Sequence, residues 1–120
     1  MNQTSHAATH HGGLGHWLWQ RVSSLVLIPL TLWVLWAGVQ LAGAEHAEAA
    51  ALLGHPGHAL MALLFTGVMF FHAQSGIQVI CEDYVYPPWF QSALIWLTRV
   101  ACFAGFVVSA FAIGRLALGA

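Results

Sequence analysis

Four residues in the second half of the sequence have the chemistry and the spacing of a binding site. His72, Gly76, Asp83 and Tyr84 stand in the stretch FFHAQSGIQVICEDYVYPPW, which begins apolar and ends with carboxylates and phenols. At about 100° per residue, a helix places Asp83 only about 20° from His72 on its surface. Gly76 lies one turn after His72 and removes a side chain from that face. We therefore predict a helix face on which a flat, bulky ligand could lie.

His72 has two interpretations. A histidine inside a long apolar segment is costly to bury without a partner, so it is a functional hypothesis by default, and neutral imidazole is a good iron ligand. The alternative is a histidine that hydrogen-bonds to a neighbouring helix. Helical periodicity leaves both open. A haem held by two histidines would take its second ligand from another subunit, because no other histidine is predicted at the depth of His72.

Asp83 and Tyr84 come at the end of that helix, which Pro87 and Pro88 terminate. Tyrosine is common at membrane interfaces simply as an anchoring residue. A phenol beside a carboxylate also has the groups that a quinone requires. The phenol donates a hydrogen bond to a carbonyl oxygen, and the acid helps to deliver protons when that oxygen is reduced.

Arg21 is the cation at the start of the first apolar segment, in HWLWQRVSSLVLIPL. The simplest role for its side chain is to reach lipid headgroups. Its planar fork of donors also suits an anion such as a haem propionate. Ser23 and Ser24 follow, and we expect at least one to hydrogen-bond back to its own helix. Pro29 is predicted to bend this helix or to end a turn.

Three long apolar segments must position these residues. The chain has 120 residues, 59% hydrophobic and 6% charged, whereas soluble domains are about 25% charged. The segments, at residues 22–42, 59–81 and 92–114, each approach the ~20 residues that a helix needs to cross a bilayer. They lack the two-residue alternation of a membrane barrel. We predict an all-α membrane protein, with an unstructured arm at 1–21 and a single three-helix transmembrane domain at 22–114.

The location and orientation follow from the arm and the arginines. The arm has neither the pattern of a signal peptide nor the arginines of a transit peptide, so a bacterial cytoplasmic membrane is the simplest location. Arg21 and Arg99 lie toward one side of the membrane, and the first loop has no arginine or lysine. The positive-inside rule then places the N-terminus and the Asp83 loop in the cytoplasm. For Arg99 we expect either a headgroup contact or an acidic partner.

Small residues are predicted to serve packing. Cys81 and Cys102 fall in or beside the apolar segments, where a small buried hydrophobic residue is the simpler interpretation than a disulfide or a metal ligand. Ala101, Gly105 and Ser109 repeat every fourth residue of the third segment, a pattern that lets two helices approach closely.

The chain resembles the smaller hydrophobic membrane-anchor subunit, or D subunit, of succinate dehydrogenase (respiratory complex II). The resemblance covers nearly the whole chain: three spans, HWLWQR at the start of the first, and the more specific pattern H-x3-G-x6-D-Y at the end of the second. It implies that the three helices form half of a heterodimeric anchor bundle. The implied partners are a second hydrophobic anchor (the C subunit), an iron–sulfur subunit and a flavoprotein subunit that oxidises succinate.

The same resemblance implies roles for single residues. His72 resembles the axial ligand to haem b, whose second ligand comes from the companion anchor. Tyr84 resembles the tyrosine that hydrogen-bonds the quinone, ubiquinone or menaquinone, and Asp83 resembles its acidic neighbour. Arg21 resembles the arginine near the haem propionates and the quinone pocket. His16 stands where some relatives have an acid.

Two other functions remain open at this stage. The chain could be the anchor of a fumarate reductase or of another quinone-linked cytochrome b complex, because the direction of catalysis is not encoded in an anchor. It could also be a small membrane scaffold without redox function, in which His72 only hydrogen-bonds within the bundle. As the anchor of a succinate dehydrogenase, a fumarate reductase or another cytochrome b complex, the chain is a subunit of an oxidoreductase and has no catalytic domain of its own. We expect no nucleic-acid partner.

Overall fold

A computed structural model describes residues 4–119, with side chains over residues 13–119. It has four α-helices: α1 Thr4–Leu41, α2 His46–Gly54, α3 Pro56–Tyr84 and α4 Pro88–Ala117. Three segments are long and apolar enough to cross a membrane: Gly13–Leu41, Pro56–Tyr84 and Pro88–Ala117. The predicted all-α fold with three spans is confirmed.

Helix α3 is central to the packing, because it contacts α1, α2 and α4. Its neighbours α1 and α4 run antiparallel to it, as contacts at both ends of each pair show. The first turns of the α1 span, the last turn of α3 and the first turn of α4 therefore lie at the same end of the bundle. We call this the Tyr84 end. The opposite end carries α2 and is called the α2 end.

The first helix differs from the expectation in two ways. It begins at Thr4, so the described part of the segment that we expected to be an unstructured arm is helical, and residues 1–3 lie outside the described residues. It also continues through Pro29, so this residue does not end a turn, which was one of its two expected roles. A helix end inside the hydrocarbon would leave several backbone groups without hydrogen-bond partners. A helix that continues through the proline loses one hydrogen bond, which costs less free energy.

Helix α2 was not predicted. Glu48 accepts a hydrogen bond from the backbone N–H of Glu45 at 3.0 Å, and the backbone N–H of Glu48 donates to the carbonyl of Glu45 at 3.0 Å. The alanine-rich sequence HAEAAALLG has high helix propensity. A glutamate three residues after the N-cap residue, here Glu48 after Glu45, is a capping signal that could have identified this helix.

Few side chains are buried within this single chain. The buried apolar residues are Leu30, Ala37, Ala59 and Cys81, and the buried polar residues are Ser23 and Ser75. Large apolar side chains are exposed along all three spans. Lipid tails solvate such side chains as well as a protein core does, so a membrane helix need not bury them. The burial of Cys81 agrees with its predicted packing role, and Cys102 is half-buried.

Glycines interlock α3 with α4. A Cβ added at Gly105 would lie 2.8 Å from the ring of Phe70, and one added at Gly67 would lie 3.3 Å from the ring of Phe106. Each helix thus presents a phenylalanine to a glycine of the other. Gly105 belongs to the predicted small-residue pattern and does permit close approach, whereas Ala101 in the same pattern is exposed.

We expect Gly105→Ala to destabilise the α3–α4 pair by about 1–3 kcal/mol, because the new methyl group displaces a phenyl ring from a tight contact. The measurement is the thermal stability of the purified complex in detergent. Gly38→Ala is the matched control, since nothing lies within 4 Å of a Cβ added there. Equal melting temperatures for the two variants would contradict the interlocked packing.

Candidate functional site

His72 lies near the middle of α3 and contacts α1. Its Nδ1 is 2.9 Å from the Oγ of Ser23, which is only 5% exposed. The cross-helix hydrogen bond that we considered as an alternative role is therefore present. It engages one ring nitrogen only, and no hydrogen bond to Nε2 is found within residues 13–119. The same ring thus has a nitrogen that no hydrogen bond among the described residues uses.

Both serines of the first span bond back to their own helix, as predicted for at least one of them. The Ser23 hydroxyl donates to the main-chain carbonyl of Gln20 at 3.0 Å, and the Ser24 hydroxyl donates to the same carbonyl at 2.9 Å. Only Ser23 also contacts His72. One buried hydroxyl therefore joins the histidine to the backbone of α1.

A cavity of about 320 Å³ opens beside the His72 face of α3 at the Tyr84 end. Gly76 and Val79 line it from the His72 face, and the residues that line it from α1 are Gly13, His16, Trp17, Gln20 and Arg21. The guanidinium of Arg21 lies over the ring of Trp17, 5.3 Å from its centroid. The structure therefore brings Arg21 and the predicted helix face to one cavity.

Two polar atoms in the walls of this cavity lack partners. His16 Nε2 and Gln20 Oε1 are buried and form no hydrogen bond with the residues that the structure describes. A Cβ added at Gly76 would lie 3.5 Å from Gln20 Nε2, so the glycine keeps space open beside the amide. Buried polar atoms normally have a partner. His16 and Gln20 thus bring hydrogen-bonding capacity to the walls of the cavity that the described residues do not use.

Asp83 and Tyr84 lie farther out than this cavity. Tyr84 is the last residue of α3, 79% exposed, and Asp83 is also exposed. At 1.5 Å per residue, Asp83 stands about 10 Å beyond Gly76 along the helix axis. Neither side chain forms a hydrogen bond within residues 13–119. The structure therefore places the acid and the phenol at the end of the bundle, outside this cavity.

Gln91 positions this segment and was missed by sequence reasoning. Its side-chain amide donates to the main-chain carbonyls of Cys81 at 3.1 Å, Glu82 at 3.2 Å and Val85 at 3.4 Å. The carbonyls of Cys81 and Glu82 belong to the last turn of α3, and Val85 is the residue after it. The last carbonyls of a helix lack partners further along the helix, and Gln91 supplements the one backbone bond there, from the N–H of Val85 to the Cys81 carbonyl at 3.0 Å. The signal available in the sequence was a side-chain amide about one turn after Pro87 and Pro88, at the start of α4.

Arg99 contacts an amide rather than the acid that we considered as its partner. Its guanidinium donates to Gln78 Oε1 at 3.1 Å, and Gln78 Nε2 donates to Glu82 Oε1 at 2.9 Å. Arg99 is thus linked to a carboxylate through one glutamine. Glutamine and glutamate one turn apart on α3 were the available signal, because such residues share a helix face.

A second histidine of α3 lies at the α2 end. His58 Nδ1 accepts a hydrogen bond from Trp33 Nε1 at 3.1 Å, and Trp36 stacks on the same imidazole at 5.3 Å. At 1.5 Å per residue, His58 and His72 are about 21 Å apart along the helix. Within the described residues no group of three or more histidine, cysteine or acidic side chains is placed to hold a metal ion.

Comparisons with known proteins agree with this architecture. The sequence model of the family described as "Succinate dehydrogenase/Fumarate reductase transmembrane subunit" matches residues 2–112. The chain is also similar to the succinate dehydrogenase hydrophobic membrane anchor subunit of Rickettsia felis, with 27% identity over 104 residues that cover 84% of this chain and 87% of the relative. No solved structure matches the chain. Because the family match spans most of the sequence, the chain belongs to the succinate dehydrogenase/fumarate reductase transmembrane subunit family and is a multi-pass membrane anchor subunit.

Proposed function

We propose that the chain is the anchor subunit of a succinate dehydrogenase, in which it ligates one side of a haem b and helps to form the site where quinone accepts electrons from succinate oxidation. The observation that carries the proposal is the state of His72 in the middle of a span. Its Nδ1 is held by Ser23, and its Nε2 has no hydrogen-bond partner within residues 13–119. A half-buried imidazole with one nitrogen held and the other free is the usual condition of a metal-binding histidine.

The residues around His72 fit a haem. Gly76 has no side chain on the same helix face, and with Val79 it lines a cavity whose walls include buried polar atoms of His16 and Gln20 without partners among the described residues. Arg21 lines that cavity and offers a guanidinium suited to a carboxylate such as a propionate. Bound there, haem b would supply a one-electron redox centre. This chain would contribute one axial ligand through His72, and the companion anchor subunit would contribute the other.

Tyr84 and Asp83 would serve the quinone. The Tyr84 phenol is exposed and has no hydrogen-bond partner within the described side chains, so it is free to donate to a quinone carbonyl oxygen. Asp83 is adjacent and exposed, so its carboxyl group can exchange protons with water and pass them toward that oxygen. Ubiquinone and menaquinone both present such carbonyl oxygens.

The surfaces of the chain support the proposed partners. The exposed apolar spans, with His72 as the one histidine near the middle of a span among the described residues, suit half of an anchor that is completed by a second hydrophobic subunit. The exposed acid and phenol at the Tyr84 end suit the side that receives electrons from the iron–sulfur and flavoprotein subunits. Arg21 and Arg99 lie toward this end and Arg115 lies in the last turn of α4, at the α2 end. By the positive-inside rule, the Tyr84 end would face the bacterial cytoplasm.

A fumarate reductase is the second candidate, because the matching family description covers both enzymes. Affinity purification of this chain from its native membrane, followed by mass spectrometry and assays in both directions, tests the proposal. We expect a second anchor, an iron–sulfur subunit and a flavoprotein, with succinate-driven quinone reduction faster than quinol-driven fumarate reduction. A faster reverse reaction would favour fumarate reductase. Absence of the flavoprotein and iron–sulfur subunit would favour the scaffold alternative.

We expect Arg21→Gln to lower haem affinity several-fold, because the cavity beside the His72 face would lose its guanidinium. The measurement is haem retained per purified complex after washing with detergent. Arg115→Gln is the control, since Arg115 lies at the α2 end beside His46. Equal haem retention in the two variants would contradict the assignment of Arg21 to the propionates.

A further inference from the structure

A buried hydroxyl connects the proposed haem ligand to the backbone of α1. The Ser23 Oγ lies 2.9 Å from Nδ1 of His72 and 3.0 Å from the main-chain carbonyl oxygen of Gln20. Ser23 is 5% exposed, and Ser75 is the other buried polar residue in the described part of the chain. A buried polar group with two partners at hydrogen-bond distance is fixed in place by both.

The single hydroxyl hydrogen of Ser23 determines the direction of both hydrogen bonds. A serine hydroxyl has one hydrogen to donate, whereas a carbonyl oxygen can only accept. If the Ser23 hydrogen points to the Gln20 carbonyl, the Ser23 oxygen accepts from an Nδ1–H of His72. The imidazole then has its hydrogen on Nδ1 and its lone pair on Nε2. The opposite direction puts the hydrogen on Nε2, which cannot bind iron in that state.

We propose that Ser23 is a positioning residue for His72, which holds the imidazole in the tautomer with a free lone pair on Nε2. The hydrogen of Nδ1 goes to Ser23 Oγ, and the hydrogen of Ser23 goes to the Gln20 carbonyl. Ligating histidines generally donate their other N–H to such an acceptor, which fixes the ring orientation and makes the ligand more basic. Here the acceptor is a serine hydroxyl on another helix, and that hydroxyl in turn donates to a main-chain carbonyl of its own helix. This inference rests on the proposed haem function.

The sequence contains a matched control for Ser23. Ser24 is its neighbour, donates to the same Gln20 carbonyl at 2.9 Å, and is not bonded to His72. Removing the Ser24 hydroxyl therefore perturbs the same turn of α1 without touching the imidazole. A difference between the two alanine variants reports the contact with His72 rather than the stability of the helix.

The test compares Ser23→Ala, Ser23→Thr and Ser24→Ala in the purified complex, through haem affinity and the haem midpoint potential. We expect Ser23→Ala to weaken haem binding about 10-fold. We also expect a higher midpoint potential, because an imidazole without an acceptor at Nδ1 donates less charge to iron. Ser23→Thr keeps a hydroxyl and should restore both values, and Ser24→Ala should match wild type.

Three outcomes overturn the inference. A wild-type potential and affinity in Ser23→Ala would remove the serine from this role, and so would an equal effect of Ser24→Ala. If Ser23→Ala does not assemble, Ser23→Cys provides a side chain with a weaker acceptor, and an unchanged potential there is the third such outcome. Failure of the haem proposal itself looks different, because the wild-type complex would then show no b-type spectrum or His72→Ala would keep it.

Discussion

His72→Ala is expected to abolish the b-type spectrum of the complex, measured as the reduced-minus-oxidised difference in absorbance. The imidazole is the iron-binding group that we propose on this face of α3, and a methyl group cannot replace it. The variant also leaves the Ser23 hydroxyl without its partner on α3, which costs about 1 kcal/mol. That cost is too small to unfold a complex, so we expect the apoprotein to assemble with all its subunits.

His58→Ala is the matched control for this experiment. Both histidines belong to α3, both are half-buried and both use Nδ1 in a hydrogen bond to α1, with Ser23 for His72 and Trp33 for His58. They differ in depth, since His58 lies at the α2 end. His58→Ala should therefore keep the haem spectrum. A spectrum that persists in His72→Ala, or one that His58→Ala also removes, would contradict the ligand assignment.

The fold was predictable where a single physical requirement decides it. Crossing hydrocarbon requires a long apolar helix, so the three spans could be placed from composition and length. The start of α1 at Thr4 lies before the apolar segment, where hydropathy carries no information on helix formation. Helix α2 is too short to cross a membrane, so hydropathy does not identify it either. Only its capping residues and its alanines indicate a helix in the sequence.

The site was predictable within one helix and not between helices. Periodicity placed His72 and Gly76 on one face of α3, and the structure has Gly76 and Val79 lining a common cavity with Arg21. The contact of His72 with Ser23 joins residues 49 positions apart and depends on how far α1 is shifted along α3. A single sequence does not determine that shift. The bond between Arg99 and Gln78 was missed for the same reason.

Tyr84→Phe is expected to lower kcat/KM for quinone about 10- to 100-fold, the effect of losing one hydrogen bond to an oxygen that gains charge during reduction. The substitution removes only the phenol oxygen, and Tyr84 is 79% exposed, so the fold of the chain should not change. Succinate oxidation with a soluble artificial electron acceptor should stay at the wild-type rate, because that reaction bypasses the membrane site. The measurement is the ratio of the two rates in the purified complex.

Tyr86→Phe separates a quinone contact from membrane anchoring. Tyr86 is in the same segment and is 76% exposed, so it is as well placed as Tyr84 to act as an interfacial anchor. The two residues differ in what precedes them: Tyr84 follows Asp83 at the end of α3, whereas Tyr86 lies after the helix has ended. If both tyrosines only anchor the bundle, the two phenylalanine variants should reduce quinone equally well. A loss of quinone reduction confined to Tyr84→Phe would assign the Tyr84 phenol to the quinone. Two tyrosines with nearly equal exposure would anchor the bundle equally well, so a specific hydrogen bond would account for the difference.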